Sequence, residues 1–440
     1  WLVATGMRPA GAALTYTERN YHDLVDKPFF VGRFDLDSAV VSGRRTRLAT
    51  YPAGLMGGLV RKRIWEQIGK TLPVMASVFQ ETPWSDYTVM MVFTSQIGGG
   101  SALEHQNSHL GIYNPGFLGN PVLASITAHE IFHAWNVKRL RPADMVPYRY
   151  DSPEPTPWLW VSEGITDYYS DLAMVRGGIN DSAKFLSTTA DKIGEIAAAP
   201  PTALEDASLS TWIGPEDGTR YLYYPKGSVA GFLLDIMIRD ASDNRRSLDN
   251  VMRELYQTTY KRGHGFTAAE WWGTMSRVAG SPGAAGMTFA AFSARYVDGR
   301  EPFPYDRVLP LAGLRVVNDT VLEPRLNIQT AGDSTGVVVS QVGPGGAGGE
   351  AGLQPGDRIL ALGDVTVNSL DFGPAFRARF SHATDGDSLP IRIIRGADTL
   401  TLAGKVRLVA RPEAKLEFDP AASAKALRIR NGIIRGKTGS

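Results

Sequence analysis

The chain of 440 residues contains no cysteine. This absence excludes disulfide bonds and thiolate metal sites, so any metal must be held by His, Asp or Glu. An excess of charge of one sign is also missing, since 46 Lys and Arg residues balance 45 Asp and Glu residues. The net charge of +1 argues against a protein that holds nucleic acid by bulk charge. No run of about 18 or more apolar residues occurs, and this excludes a membrane-spanning helix.

The length of the chain and the change in residue composition along it predict several domains, at about 150 residues per domain. The first residue is Trp1, so we expect that the natural start, and any signal peptide with it, is missing. Residues 1–20 predict a strand and a polar turn. A main domain is expected over residues 21–305, followed by a β-rich module over residues 308–410, where β-branched runs alternate with Gly and Pro. Residues 411–440 predict a C-terminal tail.

Four segments carry clear secondary-structure patterns. Apolar residues at helical spacing predict helices over 56–79, 122–137 and 158–176. The β-rich run over 87–94 predicts a buried strand. Several prolines between 147 and 157 predict a loop, because proline removes backbone donors.

The strongest chemical signal is His-Glu-Ile-Phe-His at residues 129–133. On a helix, His129 and His133 lie on one face and can bind one metal ion together. Glu130 is placed to take a proton from a water on that metal and pass it to a leaving amine. This spacing predicts a zinc site with Glu130 as the general base.

A zinc site of this kind needs a third protein ligand. Glu163 follows a loop that is long enough to fold back, and it is the candidate. Asp167 lies one turn further along the same face, where it can accept the free ring N–H of a bound histidine. The alternative for both acids is a solvated helix face. His105 and His109 are also four residues apart, but their surroundings favour a strand or loop over a second metal site.

The motif with Glu163-Gly-Ile-Thr resembles the gluzincins, the thermolysin-like metallopeptidases. The longer string at residues 129–142 resembles a narrower group, the bacterial glycyl aminopeptidases that carry a PDZ domain. The resemblance implies an α+β fold: a thermolysin-like zinc peptidase domain, mostly helical in its second half, followed by a β-rich PDZ domain. It also implies one Zn²⁺ per chain and favours a periplasmic or secreted location. Residues 1–20 would then be the remnant of a preceding β-rich domain.

Two further strings extend the resemblance. Residues 99–105 resemble the exopeptidase loop, although Ser101 and Ala102 interrupt the usual run, and by resemblance Glu104 binds the free α-amino group of the substrate. Residues 223–227 resemble the Tyr-Glu-Lys-Gly string of aminopeptidases, and Tyr224 would then donate a hydrogen bond from its O–H to the oxyanion.

The module at 308–410 resembles a bacterial PDZ domain through residues 340–347 and 351–364. PDZ domains bind a peptide or protein ligand by adding a strand to a sheet edge. The corresponding carboxylate loop, residues 325–328, lacks the usual glycine, so an architectural role is an equal alternative.

Three functions are compatible with these motifs. The first is an aminopeptidase that removes glycine or alanine from peptides by a metal-activated water. The second is a metallo-endopeptidase or oligopeptidase with PDZ-assisted substrate binding. The third is a non-catalytic binding protein on a peptidase scaffold, which predicts loss of a ligand or of Glu130, whereas all are present.

Overall fold

A computed structural model describes residues 1–333, 336–367 and 372–439. Its helices are α1 (Tyr21–Val25), α2 (Gly58–Phe79), α3 (Pro121–Phe132), α4 (Thr166–Arg176), α5 (Ser182–Ala198), α6 (Leu204–Ser210), α7 (Tyr223–Ala241), α8 (Leu248–Thr258), α9 (Ala268–Ala279), α10 (Phe289–Phe292), α11 (Tyr305–Val308), α12 (Ala347–Glu350), α13 (Phe372–Arg379) and α14 (Ala424–Arg435). π-helical turns span Trp160–Ile165 and Ser293–Val297.

The strands are β1 (Leu2–Thr5), β2 (Arg8–Pro9), β3 (Tyr16–Thr17), β4 (Phe29–Gly32), β5 (Asp35–Val41), β6 (Arg44–Tyr51), β7 (Asp86–Phe93), β8 (Gly100–His105), β9 (Ser108–Tyr113), β10 (Gly283–Ala284), β11 (Met287–Thr288), β12 (Leu314–Pro324), β13 (Ile328–Asp333), β14 (Gly336–Val342), β15 (Arg358–Leu362), β16 (Val365–Thr366), β17 (Ser388–Arg395), β18 (Asp398–Lys405) and β19 (Leu408–Phe418). Among the described residues, no helix is both long enough and apolar enough to cross a bilayer.

One sheet supports the first half of the peptidase region, in the order β5-β6-β7-β9-β8. Strands β6, β7 and β9 run parallel, and β5 and β8 pair antiparallel at the two edges. Helix α2 is the crossover that a parallel β6–β7 pair requires. The sheet therefore presents β8, which carries Glu104, as an edge strand beside α3.

A largely helical layer covers this sheet and shares one hydrophobic core with it. Helix α7 lies inside this layer, and nearly all of its residues are buried. Buried aromatic rings pack against Phe132 of α3, namely those of Phe79, Trp135 and Tyr169. The helix that carries the His-Glu-Ile-Phe-His motif is thus held by rigid neighbours on several sides.

The β-rich module forms a separate sheet in the order β13-β14-β15-β17-β18, with β16 paired to β15. Its own small core includes Val339, Ile391 and Ile393. Since neither core needs the other to be complete, the two regions have the anatomy of distinct domains.

A long antiparallel ribbon of β12 and β19 leads into this module and back out of it. Leu314 and Leu416 of the ribbon belong to the core of the peptidase region. After the ribbon, α14 packs on the same core through Ile429 and Ile433. The segment predicted as a C-terminal tail, residues 411–440, therefore contains the end of β19 and a docked helix.

Candidate active site

The two motif histidines lie at the carboxyl end of α3. The helix ends at Phe132, earlier than the predicted 137, and His133 is its C-cap. The chain continues as wide turns in which Lys138 N–H donates to the His133 carbonyl at 2.9 Å. His129 Nε2 and His133 Nε2 lie 2.9 Å apart, so the predicted helical spacing brings both rings together.

Glu163 approaches these rings from the π-helical turn Trp160–Ile165. Its Oε2 lies 3.1 Å from His129 Nε2 and 3.2 Å from His133 Nε2. A single π turn inside a helix is frequent at functional sites, because the extra residue redirects a side chain. Here the turn aims Glu163 at the two imidazoles.

The donor set fits a zinc ion. His133 Nδ1 donates to the Asn136 carbonyl at 2.8 Å, which leaves the lone pair of Nε2 directed at His129 and Glu163. Two imidazole nitrogens and one carboxylate oxygen, all within 4.8 Å of one another, form the group that could hold a metal ion among the described residues. Two nitrogens and an oxygen converging in this way suit zinc, with one position left for water or substrate.

Glu130 lies beside the metal ligands and is buried. Its Oε2 has no hydrogen-bond partner among the described residues. Burial raises the pKa of its carboxyl to about 7, although His129 and His133 oppose the change. A carboxylate with this proton affinity is suited to accept and return a proton near neutral pH.

Tyr224 faces the ligands from the first turn of α7. Its ring centroid lies 5.9 Å from that of His129. Burial raises the pKa of its hydroxyl well above the usual value, and the charge of Glu163 adds to this effect. The hydroxyl therefore stays protonated and can donate a hydrogen bond.

Glu104 lies on the edge strand β8, paired in register with His109. Its charge is one of those that raise the pKa of Glu130, so the two carboxylates share one region. The side chain of His109 is buried, with Nδ1 3.1 Å from the Tyr87 hydroxyl, and burial lowers its pKa to about 3. The charge of Glu104 also raises the pKa of His133, so the structure brings Glu104 near the predicted metal ligands.

Asp167 lies near His129 but not in hydrogen-bond contact, with Oδ1 3.9 Å from Nδ1. Sequence reasoning missed the residue that holds it: Lys192 of α5 pairs with Asp167 and with Asp171, each at 2.5 Å. No local signal predicts this contact, because α5 follows in the chain without any motif.

Asn136 is the second residue that the motif analysis left without a role. Its side-chain amide donates to the Val161 carbonyl at 2.9 Å and to the Thr166 hydroxyl at 3.0 Å. It thus joins the histidine segment to the segment that carries Glu163. Its position three residues after His133 was the available signal.

The loop before β13 of the β-rich module contains one unusual backbone position. Asn327 adopts a left-handed conformation with φ of +55°, which glycine usually supplies and asparagine tolerates best among other residues. It packs under Gly343 and Gly346, where an added Cβ would lie within 2.6 Å of its side chain. Asn327 therefore supports a left-handed backbone position in this loop.

Comparisons with known proteins match these two regions separately. A sequence model of the M61 glycyl aminopeptidase family matches residues 122–230, and one of the PDZ domain matches residues 338–377. The predicted resemblance to a PDZ-containing glycyl aminopeptidase is confirmed, and the chain is a peptidase with a β-rich PDZ region.

The fold is similar to that of a solved structure, an aminopeptidase N family protein from Idiomarina loihiensis. The two chains are 22% identical, the match covers 97% of this chain and 76% of that chain, and the TM-score is 0.71. The predicted fold class is confirmed by this likeness. A two-domain M1 zinc metallopeptidase is 16% identical over 63% of this chain and 58% of its own, with a TM-score of 0.44, which is too low to support an argument. No curated protein sequence matches the chain.

Proposed function

We propose that this M61-type peptidase is a zinc-dependent aminopeptidase that removes small residues, glycine or alanine, from the amino end of peptides. The observation that carries the proposal is the convergence of His129, His133 and Glu163, with Glu130 beside them. The preference for small residues rests on the description of the matched family. Removal of a residue from the amino end of a peptide by such a site needs a base, an oxyanion donor and an anchor for the free amine.

Three side chains of this protein have separate roles in the reaction. Glu130 takes a proton from the attacking water and returns it to the leaving amine. Tyr224 donates a hydrogen bond from its hydroxyl to the oxygen of the scissile carbonyl as negative charge develops there. Glu104 pairs with the ammonium group of the substrate, which sets the first peptide bond, and not an internal one, opposite Glu130.

His129, His133 and Glu163 would hold the zinc ion. When bound, zinc lowers the pKa of a water and polarises a carbonyl as a Lewis acid. The Asn136 carbonyl keeps His133 in the tautomer that leaves Nε2 free for the metal.

The test is hydrolysis of glycyl, alanyl and leucyl anilides, and of the glycyl anilide with its amine acetylated, each with and without a chelator. We expect cleavage of the free-amine glycyl and alanyl compounds, lost with chelator and restored by zinc. Glu104→Gln should raise KM for these compounds, because it removes the charge that pairs with the ammonium. Its matched control is Glu66→Gln, on the exposed face of α2.

Cleavage of the acetylated compound would contradict the role of Glu104 and favour the alternative, a metallo-endopeptidase or oligopeptidase. Cleavage that survives the chelator would contradict the metal site itself. No cleavage of any compound would favour a non-catalytic binding protein.

We further propose that the PDZ groove binds an extended peptide by strand addition. Among the described strands, β13 pairs only with β14, which leaves its other edge facing α13. Ile328 and Phe376 line this groove of about 1180 Å³. The left-handed Asn327 allows the loop its PDZ-like path without glycine.

Phe376→Asp should abolish binding of a hydrophobic C-terminal peptide, measured by fluorescence polarisation, whereas Arg379→Asp on the same helix should not.

A further inference from the structure

A second cavity of about 270 Å³ lies apart from the predicted metal ligands. It is enclosed by α5, by the loop between α5 and α6, by α7 and by the segment that enters α11. Most of its wall is apolar, including Ile193, Leu222 and Phe303. Such a pocket has the apolar lining of a site for a small ligand, and its volume lies just below the usual range of about 300–1,000 Å³.

One positive charge is buried in this apolar wall. Lys226 of α7 is 5% exposed. Its Nζ donates one hydrogen bond, to the Thr202 carbonyl, and lies 5.5 Å from the centre of the Phe303 ring. Among the described residues it has no carboxylate partner, and burial lowers its pKa to about 8. A buried ammonium without a counter-ion is costly, because buried charges in proteins are usually paired.

The other charged groups at the cavity are already neutralised. Arg300 pairs with Asp206 at 2.9 Å, and Glu301 pairs with Arg295 at 2.5 Å. These pairs lie at the exposed rim. Of the described charged groups that line the cavity, Lys226 is therefore the one without an ion-pair partner.

A second polar group in the same wall also lacks a partner. The hydroxyl of Tyr305 is buried and makes no hydrogen bond among the described residues. Buried hydroxyls without partners are rare, so one in the same wall as an ammonium without a counter-ion needs an explanation. The two donors match the two oxygens of a carboxylate.

We propose that this cavity binds a compact apolar group that bears a single carboxylate, with the carboxylate on Lys226 and Tyr305 and the apolar body against Ile193 and Phe303. The ion pair would form in an apolar wall, where it is strong. The volume admits one aromatic ring or a short branched chain. This site is distinct from the proposed peptidase site, since none of its lining residues is a predicted metal ligand.

The test is calorimetric titration of the whole chain at pH 7 with 3-phenylpropionate and with its uncharged amide. A carboxylate could also bind zinc, so the titration is made on chelator-treated protein. We expect the acid to bind at least tenfold more tightly than the amide, with or without chelator. Equal binding of acid and amide, no binding of either, or acid binding that the chelator removes would each overturn the proposal.

Two variants locate the binding. Lys226→Met keeps the length and the apolar stem of the side chain, and it should weaken the acid at least tenfold while leaving the amide unchanged. Lys184→Met removes an exposed lysine from α5, a helix whose other residues line the cavity. It should change the affinity of neither the acid nor the amide. Tyr305→Phe should weaken the acid several-fold. Wild-type affinity in Lys226→Met would overturn the assignment.

A labelling measurement on wild-type protein does not depend on how a variant folds. Limiting acetic anhydride should modify Lys226 more slowly when 3-phenylpropionate is present, as read by mass spectrometry of its peptide. Unchanged modification at saturating acid would overturn the proposal. The carboxylate could belong to the C-terminal residue of a peptide or to a free acid, and titration with N-acetylphenylalanine separates the two. Tighter binding than that of 3-phenylpropionate assigns the pocket to the C-terminal residue of a peptide. Weaker binding assigns it to a free acid.

Discussion

Tyr223 and Tyr224 are neighbours in the chain, but α7 turns them to different surroundings. Tyr223 is 6% exposed and stacks on Tyr224 with ring centroids 4.7 Å apart. Tyr224 is the one whose ring lies beside His129. The charge of Glu163 raises the pKa of both hydroxyls, but of the two only Tyr224 is also hydrogen-bonded to Glu163. An oxyanion donor must lie where negative charge develops on the substrate. Both residues are tyrosines, so it is the position of Tyr224 that makes it the candidate donor.

Tyr224→Phe should lower kcat by about 10²–10³-fold with little change in KM, because one oxyanion donor is lost and the ring remains. Steady-state kinetics on glycyl anilide gives both constants. Tyr221→Phe, an exposed position one turn earlier, is the control and should be neutral. A normal kcat in Tyr224→Phe would move the donor to another residue.

Asp357 in the PDZ region gives a prediction about pH. Hydrogen bonds from Arg395, at 2.6 Å for the closer pair of atoms, hold the pKa of Asp357 below its usual value, and the Gln354 N–H contributes. A carboxyl whose pKa is lower in the folded state stabilises the fold above its unfolded pKa of about 3.9. That stabilisation is lost as the pH falls through the folded pKa.

Asp357→Asn should therefore unfold at a lower Tm than wild type at pH 6, with the difference shrinking as the pH falls below about 4. Scanning calorimetry of the PDZ transition measures it. Arg379, which pairs with Asp364 at an exposed position, gives the control Arg379→Gln with a small, nearly pH-independent effect. A difference that stays constant down to low pH would contradict this assignment.

At the scale of elements, two glycines let α7 touch the turn that carries Glu163. A Cβ on Gly164 would lie 2.5 Å from the Gly227 Cα, and one on Gly227 would lie 2.6 Å from the Trp160 carbonyl oxygen. Backbone meets backbone here, so no side chain can move aside. This contact sets the distance between Tyr224 and Glu163.

Gly227→Ala should destabilise the fold by about 1–3 kcal/mol through overpacking and should lower kcat by shifting Tyr224. Gly273→Ala in α9 is the matched control, since a Cβ there meets nothing within 4 Å. It should be neutral or stabilising by up to about 1 kcal/mol. Equal stability and activity in the two variants would contradict the role of this contact.

At the scale of the whole molecule, the PDZ region is placed between two pieces of the peptidase core. The ribbon of β12 and β19 leads away from that core and returns to it, and α14 then closes over α7. The buried Arg239 of α7 donates to the Lys437 carbonyl at 2.9 Å, and Arg176 of α4 donates to the Ile433 carbonyl at 3.0 Å. The end of the chain thus satisfies buried donors of the peptidase region.

Ile429→Ala should destabilise the peptidase region by about 2–5 kcal/mol, because it leaves a cavity in the shared core. Leu427→Ala, two residues away and 36% exposed, should change the stability by less than about 1 kcal/mol. Urea unfolding followed by tryptophan fluorescence reports on this region, where the tryptophans lie. A similar loss in both variants would show that α14 is not part of the core.

Local pattern was enough for much of this protein. The helix spacing of residues 129–133 predicts that two histidines share a face, and they lie 2.9 Å apart. The predicted helix over 56–79 and strand over 87–94 correspond to α2 and β7, because their apolar periodicity is set by neighbours in the chain. The M61 and PDZ resemblances likewise depend on short strings of residues.

Other features depend on residues that meet only when the chain is folded. The pairing of Lys192 with Asp167, the contact of Gly164 with Gly227 and the docking of α14 each join segments without a shared motif. The cavity around Lys226 is made by four such segments. Short-range patterns determine which elements form, whereas the burial of charges and the distances between elements follow from packing, which no local window of the sequence contains.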